Sequence, residues 1–110
     1  MIRITVLRNA KREILGFDSI GHAGYDVCGK DIVCSAASIL IINTINAIEK
    51  FTKDKINYVN DESEGKLEFR FAGTPSKEAD LLFSTMLLGL NDLVRDENYS
   101  KYIELTYEEV

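Results

Sequence analysis

Several features that define other protein classes are scarce in this chain. Pro75 is the only proline, and no stretch rich in proline or serine divides the 110 residues. The two cysteines come without a secretory signal, which excludes a disulfide framework and predicts a reducing compartment. The apolar run over residues 39–42 is too short to cross a bilayer. We therefore predict a single cytoplasmic domain over residues 1–110, without membrane contact.

Positive charge is also in short supply. The chain has 13 lysines and arginines against 18 acidic residues, a formal net charge of −5. Binding to the phosphate backbone of a nucleic acid requires a patch of basic residues, so direct nucleic-acid binding is not expected. Residues 92–110 hold six acids against two bases. Such a segment suits a basic protein partner, although a solvated surface has the same composition.

Apolar residues alternate with polar ones in five segments, which is the pattern of half-buried strands. The segments are residues 2–8, 14–20, 55–61, 66–71 and 102–107. Gly16 either weakens the second strand or marks a bulge in it. The turn at residues 62–65 joins the third and fourth strands into a hairpin.

Two further segments have helical spacing. The first runs from Ile32 to about Phe51, and the second extends to about Arg95 after Thr74 as its cap and Pro75 as its first residue. The order is β-β-α-β-β-α-β, which predicts an α+β domain with one mixed or antiparallel sheet and two main helices. The first helix is apolar on several sides, so either it packs in the monomer core or part of it forms a homodimer interface.

One cysteine falls where the first helix is expected to begin. If Asp31 is the N-cap, Cys34 is the third helical residue. The free N–H groups and the dipole of a first turn stabilise a thiolate, and the same donors can bind the oxyanion formed when that thiolate attacks a carbonyl. The position of Cys34 therefore favours nucleophilic catalysis.

His22 is the only histidine of the chain and precedes Cys34 by a short segment. Gly21, Gly24 and Gly29 give this segment the freedom to fold back, so that the imidazole can take the thiol proton. The spacing permits this contact without requiring it. A loop histidine beside a structural cysteine is the alternative interpretation.

Cys28 has no assigned role in this chemistry. It is either a free thiol or the partner of Cys34 in a reversible disulfide, although the spacing is not that of a Cys-x-x-Cys redox motif. Four candidate zinc ligands can be named, which are His22, Cys28, Cys34 and one of Asp26 or Asp31. No paired-ligand spacing supports a zinc site, so neither a metal nor another cofactor is predicted.

The segment Gly21-His22-Ala23, followed by Gly29-x-Asp31-Ile32-Val33-Cys34-x-Ala36-x-Ser38, resembles the signature of the ribosomal-processing cysteine protease family, Prp. The resemblance extends over nearly the whole chain, because length and element order also match. It implies that Cys34 is the nucleophile, that His22 is the catalytic histidine and that Asp31 and Ser38 have supporting roles. Gly21, Gly24 and Gly29 would belong to the substrate loop.

The resemblance also implies a substrate. Members of the family remove the N-terminal extension from the precursor of a large-subunit ribosomal protein, number twenty-seven in the standard naming. The substrate peptide implied by the resemblance has aromatic residues before the scissile bond. A homodimer is expected on the same basis. Two other classes of function stay open at this point, namely a non-catalytic adaptor that docks on the ribosome and a thiol redox sensor.

Overall fold

The structure, a computed structural model, describes residues 1–21, 28–61 and 63–110, and the side chains of all of these except residues 28–31. Two helices and five strands follow one another in the predicted order. The strands are β1 (Ile2–Arg8), β2 (Ile14–Ile20), β3 (Ile56–Asp61), β4 (Lys66–Phe71) and β5 (Ile103–Glu109). The helices are α1 (Cys28–Phe51) and α2 (Lys77–Arg95).

The five strands form one sheet in the order β3-β4-β2-β1-β5. β1 pairs antiparallel with β2, β2 with β4, and β4 with β3. β5 instead runs parallel to β1, with Ile103 opposite Ile2. The sheet is therefore mixed, which decides between the two arrangements that the sequence left open.

Gly16 lies at a bulge, as one of its two interpretations predicted. Leu7 pairs with Gly16 but the next residue, Arg8, pairs with Ile14, so Leu15 has no partner in β1. A Cβ atom on Gly16 would lie 2.0 Å from the carbonyl oxygen of Phe69 on the neighbouring strand. Only glycine allows β2 and β4 to approach this closely.

The two faces of the sheet have opposite character. Successive side chains of a strand point to opposite faces, and on one face they join the helices in a single core. The other face carries cross-strand and in-strand ion pairs, Arg3 with Glu104 at 3.4 Å and Lys66 with Glu68 at 3.0 Å. Exposed pairs of this kind contribute little to stability, which comes chiefly from the helix-covered face.

α1 supplies the central stripe of this core. By length and mean hydropathy (1.7), its segment Ile32–Phe51 is apolar enough to cross a membrane. Its buried residues recur every three or four positions and are at most 4% exposed, namely Val33, Ala37, Ile41, Ile45 and Ile48. Packing against the sheet therefore accounts for part of the hydropathy of this helix, whereas Ile32, Ile39 and Phe51 are 48%, 71% and 72% exposed.

α1 begins earlier than the sequence predicted. The prediction placed Asp31 at the N-cap and Ile32 first in the helix, whereas the helix begins at Cys28. An acidic residue is favourable both as an N-cap and inside the first turn, because both positions lie near the positive end of the helix dipole. Composition alone could not separate these two positions for Asp31.

The N-cap residue of α2 also differs from the predicted one. Ser76, not Thr74, is the N-cap, and its hydroxyl accepts a hydrogen bond from the Ala79 N–H at 3.1 Å. Asp54 fixes this serine by accepting hydrogen bonds from its backbone N–H at 2.8 Å and from its hydroxyl at 2.5 Å. These bonds lower the pKa of Asp54 from its usual value. The carboxylate that selects Ser76 lies 22 positions away in sequence, so the local pattern did not show it.

Candidate active site

A cavity of about 320 Å³ lies between the first half of α1 and one end of the sheet. Its helical wall is formed by Cys34, Ser38, Ile41 and Ile42. The strand ends and the turn before β4 contribute Ser19, Gly21, Asn60, Gly65, Lys66 and Leu67. The cavity thus has a mixed polar and apolar lining, as a peptide-binding cleft requires.

Cys34 is the one thiol among the described residues of this wall. Its side chain is half-buried, packs against the core and carries a free thiol. Ser38 follows one helical turn later, so the two residues share a face of α1. Of the residues predicted for the site, the structure brings Gly21, Cys34 and Ser38 to the same cavity.

The place of Cys34 within α1 corrects one part of the predicted mechanism. It is the seventh residue of the helix rather than the third, because the helix begins at Cys28. In a regular helix its N–H donates to the carbonyl of Lys30, and the dipole effect falls off after the first turn. The free N–H groups of the helix lie in its first turn, before Cys34, so Cys34 does not lie among oxyanion donors of its own turn.

Gly21 is the last residue of the sheet wall before His22 in the chain. Its φ of 122° is a conformation that favours glycine, and its N–H donates to the carbonyl of Gly65 at 2.9 Å. A Cβ atom would lie 2.2 Å from the carbonyl oxygen of Met1. The backbone therefore fixes the end of β2 against the start of β1 and the turn before β4.

Other predicted site residues lie elsewhere or are not described. His22 and Gly24 lie outside the described residues. Gly29 was expected in the substrate loop, but its backbone belongs to the first turn of α1. Asp31 belongs to the same turn, one turn before Cys34, and the structure does not describe its side chain.

The helix also bears on the proposed Cys28–Cys34 disulfide. Both residues lie in α1, six positions apart. Six positions of a regular helix correspond to a rise of about 9 Å, whereas a disulfide needs Cα atoms within about 7 Å of each other. The pair cannot form while residues 28–34 are helical.

The enumerated zinc site stays untested. Among residues 1–21, 28–61 and 63–110, no group of three histidine, cysteine, aspartate or glutamate side chains is arranged to hold a metal ion. Of the enumerated ligands, only Cys34 has a described side chain.

Lys66 lies at the edge of the cavity, but its ammonium is paired on the opposite face of the sheet. Its ammonium donates to Glu68 at 3.0 Å, and this hydrogen bond together with the negative charge raises the pKa of Lys66. A protonated ammonium has no lone pair and cannot accept a proton from a thiol. Serine hydroxyls and the Asn60 carboxamide are also poor bases at neutral pH, so the described lining offers Cys34 no general base.

Sequence reasoning missed two polar residues of the cavity, Ser19 and Asn60. Each occupies a strand position whose neighbours two residues earlier, Phe17 and Tyr58, point to the helix-covered face. A polar residue in an inward position was the available signal. Recognising it required the register of three strands, which the sequence does not supply.

Comparison with known proteins assigns the family. Residues 1–104 match the family model described as cysteine protease Prp. The chain belongs to the cysteine protease Prp family. A Prp relative, the ribosomal processing cysteine protease Prp of Staphylococcus aureus, is 31% identical over 108 residues, which are 98% of this chain and 100% of that protein.

Solved Prp structures agree with the fold. The S. aureus protease in complex with a substrate peptide superposes with a TM-score of 0.90 at 29% identity, covering 98% of this chain and 100% of that one. The same protease with a covalently linked product peptide gives a TM-score of 0.86 at 30% identity and the same coverage. The domain is thus a Prp-type cysteine protease, with five strands in one sheet and two helices.

Proposed function

We propose that this protein is the endopeptidase that removes the N-terminal extension from the precursor of large-subunit ribosomal protein number twenty-seven, with Cys34 as nucleophile and His22 as general base. One observation carries the proposal. The free thiol of Cys34 lines the same cavity as Gly21, the residue directly before His22 in the chain. Membership in a cysteine protease family makes that thiol the expected nucleophile.

His22 completes the chemistry. The described cavity lining provides no group able to accept the thiol proton, and His22 is the only imidazole of the chain. His22 takes the proton from Cys34, and the thiolate attacks the scissile carbonyl. The protonated imidazole then gives its proton to the leaving amine as the C–N bond breaks. Water, activated by the same imidazole, hydrolyses the thioester and releases the acid and the free thiol.

Ser38 and Asp31 have supporting roles in this proposal. Ser38 borders the cavity one turn after Cys34 and is exposed, so its hydroxyl is available to a bound substrate. A hydroxyl can donate a hydrogen bond to a developing oxyanion, which the N–H of Cys34 cannot do from within the helix. Asp31 precedes Cys34 by one turn, in the first turn of α1.

The cavity suits the proposed substrate. Ile41, Ile42 and Leu67 give it apolar walls that can hold aromatic side chains ahead of the scissile bond. The net charge of −5 favours a basic ribosomal precursor over a nucleic acid. The reaction takes place in the cytoplasm, requires no cofactor and involves no membrane.

A homodimer is part of the same proposal. On the helical layer, Ile39 and Leu88 are 71% and 66% exposed. They lie next to a place where α1 and α2 approach closely, since a Cβ on Gly89 would lie 3.0 Å from the side chain of Leu40. Burying two large apolar residues per subunit favours self-association. Sedimentation of wild type and Ile39→Glu at micromolar concentration should show a dimer and a monomer, and a monomeric wild type would contradict the dimer.

Mass spectrometry of a precursor N-terminal peptide tests the catalytic assignment. Wild type should cleave it, whereas Cys34→Ala and His22→Ala should lower kcat by on the order of 10³-fold or more. Cys28→Ala is the matched control, because it removes the other thiol of the same helix and should keep activity. Equal cleavage by wild type and Cys34→Ala, or none by wild type, would contradict the proposal.

The same variants separate the other two functions. An adaptor that docks on the ribosome would keep its activity in Cys34→Ala. A redox sensor that uses both thiols would lose its oxidation response in Cys28→Ser. Only a protease loses peptide cleavage with Cys34 while retaining it without Cys28.

A further inference from the structure

We call the sheet face that the helices cover the inward face. Its side chains on β2, β4 and β3 are mostly apolar or aromatic, and the exceptions lie in one row across these strands. Phe17 of β2 pairs with Phe69 of β4, and Phe69 pairs with Tyr58 of β3. Two residues along each strand toward the cavity, the inward set changes to Ser19, Leu67 and Asn60. We call Ser19 and Asn60, which flank Leu67 in this row, the polar rung.

The polar rung lies on the sheet side of the active-site cavity. Ser19 pairs with Leu67, and Leu67 pairs with Asn60, so the three side chains stand in a row across neighbouring strands. All three line the cavity that Cys34 and Ser38 border from α1. A peptide bound to the nucleophile would therefore have the polar rung beside it.

The polar side chains of this row have no structural partner among the described residues. Neither the Ser19 hydroxyl nor the Asn60 carboxamide takes part in a hydrogen bond there. Ser19 is half-buried and Asn60 is exposed to the cavity side. Hydrogen bonding among the described residues thus gives no reason for polarity at these two positions, and both groups are available to a ligand.

The chemistry of Asn60 matches that of a peptide unit. A carboxamide carries one acceptor and one donor group, and can bond to the N–H and the C=O of an extended chain. Neighbouring strands are about 4.8 Å apart, so Ser19 and Asn60 are separated by roughly 10 Å. This span corresponds to about three residues of extended peptide, which the two side chains can contact at its ends.

We propose that Asn60, with Ser19 as the second contact, is a substrate-positioning residue whose carboxamide hydrogen-bonds the main chain of the peptide held against Cys34. The proposal rests on the proteolytic function above and adds residues that fix the register of the substrate. Recognition of main-chain groups contributes binding of the peptide, while the apolar walls select its side chains. The positioning contact is made before the bond breaks, so it acts on KM rather than on kcat.

Asn60→Ala tests this, with Asn57→Ala as the matched control. Asn57 is the same residue type on the same strand, but it pairs with Arg70 on the ion-paired face of the sheet. Asn60→Ala should raise KM for the precursor peptide by about 3- to 10-fold, the loss of one or two hydrogen bonds, with kcat within about twofold. Asn57→Ala should leave both constants unchanged, and Asn60→Gln should recover part of the loss because it keeps the carboxamide.

The contact can also be tested without turnover, by measuring how tightly an inactive variant binds the peptide. In the Cys34→Ala background, the peptide Kd should rise by the same 3- to 10-fold with Asn60→Ala and by about threefold with Ser19→Ala. Urea unfolding should give equal midpoints for Asn60→Ala and Asn57→Ala. An unchanged KM and Kd for Asn60→Ala, or an effect confined to kcat, would overturn the proposal.

The failures of the two proposals are distinct. If wild type does not cleave the peptide, or Cys34→Ala cleaves equally well, the proteolytic assignment is wrong. If wild type cleaves, Cys34→Ala does not, and Asn60→Ala behaves like Asn57→Ala, only the role of Asn60 is wrong.

Discussion

Strands β2 and β4 hold two very different environments only two residues apart. At one position Phe17 and Phe69 stack with ring centroids 5.3 Å apart, and Phe83 of α2 packs against both at 5.7 and 6.3 Å. All three rings are at most 1% exposed. At the next inward position Ser19 and Leu67 face the cavity below Cys34.

The difference separates stability from catalysis within the same strands. Phe71 extends the aromatic cluster, with its ring edge-on to that of Phe69 at 5.0 Å. Ser19 and Asn60 are half-buried and exposed, respectively, and their side chains make no hydrogen bond to another described residue. Changes in the aromatic cluster should therefore cost folding free energy, whereas changes at Ser19 or Asn60 should cost substrate binding.

The largest expected effect is that of Phe69→Ala. Removing a fully buried ring at the centre of the cluster should lower the free energy of unfolding by about 3–5 kcal/mol, because it leaves a cavity between Phe17 and Phe83. Urea unfolding measures this loss of stability. The fraction of Phe69→Ala molecules that stays folded at low temperature should still cleave the peptide. A loss below about 1 kcal/mol would mean that the cluster is not a rigid centre of stability.

Gly21→Ala probes the border between the two environments. The added Cβ would meet the Met1 carbonyl oxygen, and alanine rarely adopts the φ of 122°, so we expect a loss of roughly 1–3 kcal/mol. Peptide cleavage should fall as well, because Gly21 lines the cavity and precedes His22. Gly73→Ala is the control, since a Cβ there meets no atom within 4 Å. Equal stability of the two variants would show that β2 can shift freely at the site.

Ser76→Ala should have the smallest effect, about 1 kcal/mol from the lost N-cap of α2. Ser76 also holds Asp54 ionised, since its hydroxyl and N–H lower the pKa of that carboxyl below 3.8. The bonds to the ionised form are therefore fully present above the unfolded pKa and are lost as pH falls through the lowered folded value. The stability difference between wild type and Ser76→Ala should shrink below about pH 3.8, with cleavage at neutral pH unchanged. If the stability difference between wild type and Ser76→Ala stays constant down to pH 2, the contribution of the N-cap does not depend on the ionisation of Asp54.

Most of the fold was accessible from the sequence, because strand alternation and helical spacing are local signals. The bounds of β2 and β4 were predicted correctly, and the bulge at Gly16 was one of the two interpretations of that glycine. The starts of both helices were not, since Asp31 suits two positions near a helix start and Ser76 is selected by the distant Asp54.

The site was accessible only in part. Cys34, Ser38 and Gly21 lie in one local motif, and the structure places them at one cavity. Ser19 and Asn60 are 41 positions apart, and nothing local connects them. Their common role depends on the pairing of β2, β4 and β3, which only the folded sheet establishes.

The parallel pairing of β1 with β5 has a consequence for synthesis of the protein. Ile2 faces Ile103 across 101 positions, so β1 cannot gain this neighbour until β5 has left the ribosome. Contacts between such distant segments form late and slowly. The Ile2 N–H also donates to the Tyr102 carbonyl at 2.9 Å, so the start of β1, which lies against Gly21 of the cavity, is held on that side only after β5 has been synthesised. A nascent fragment that contains His22 and Cys34 but lacks β5 should therefore be a poor protease.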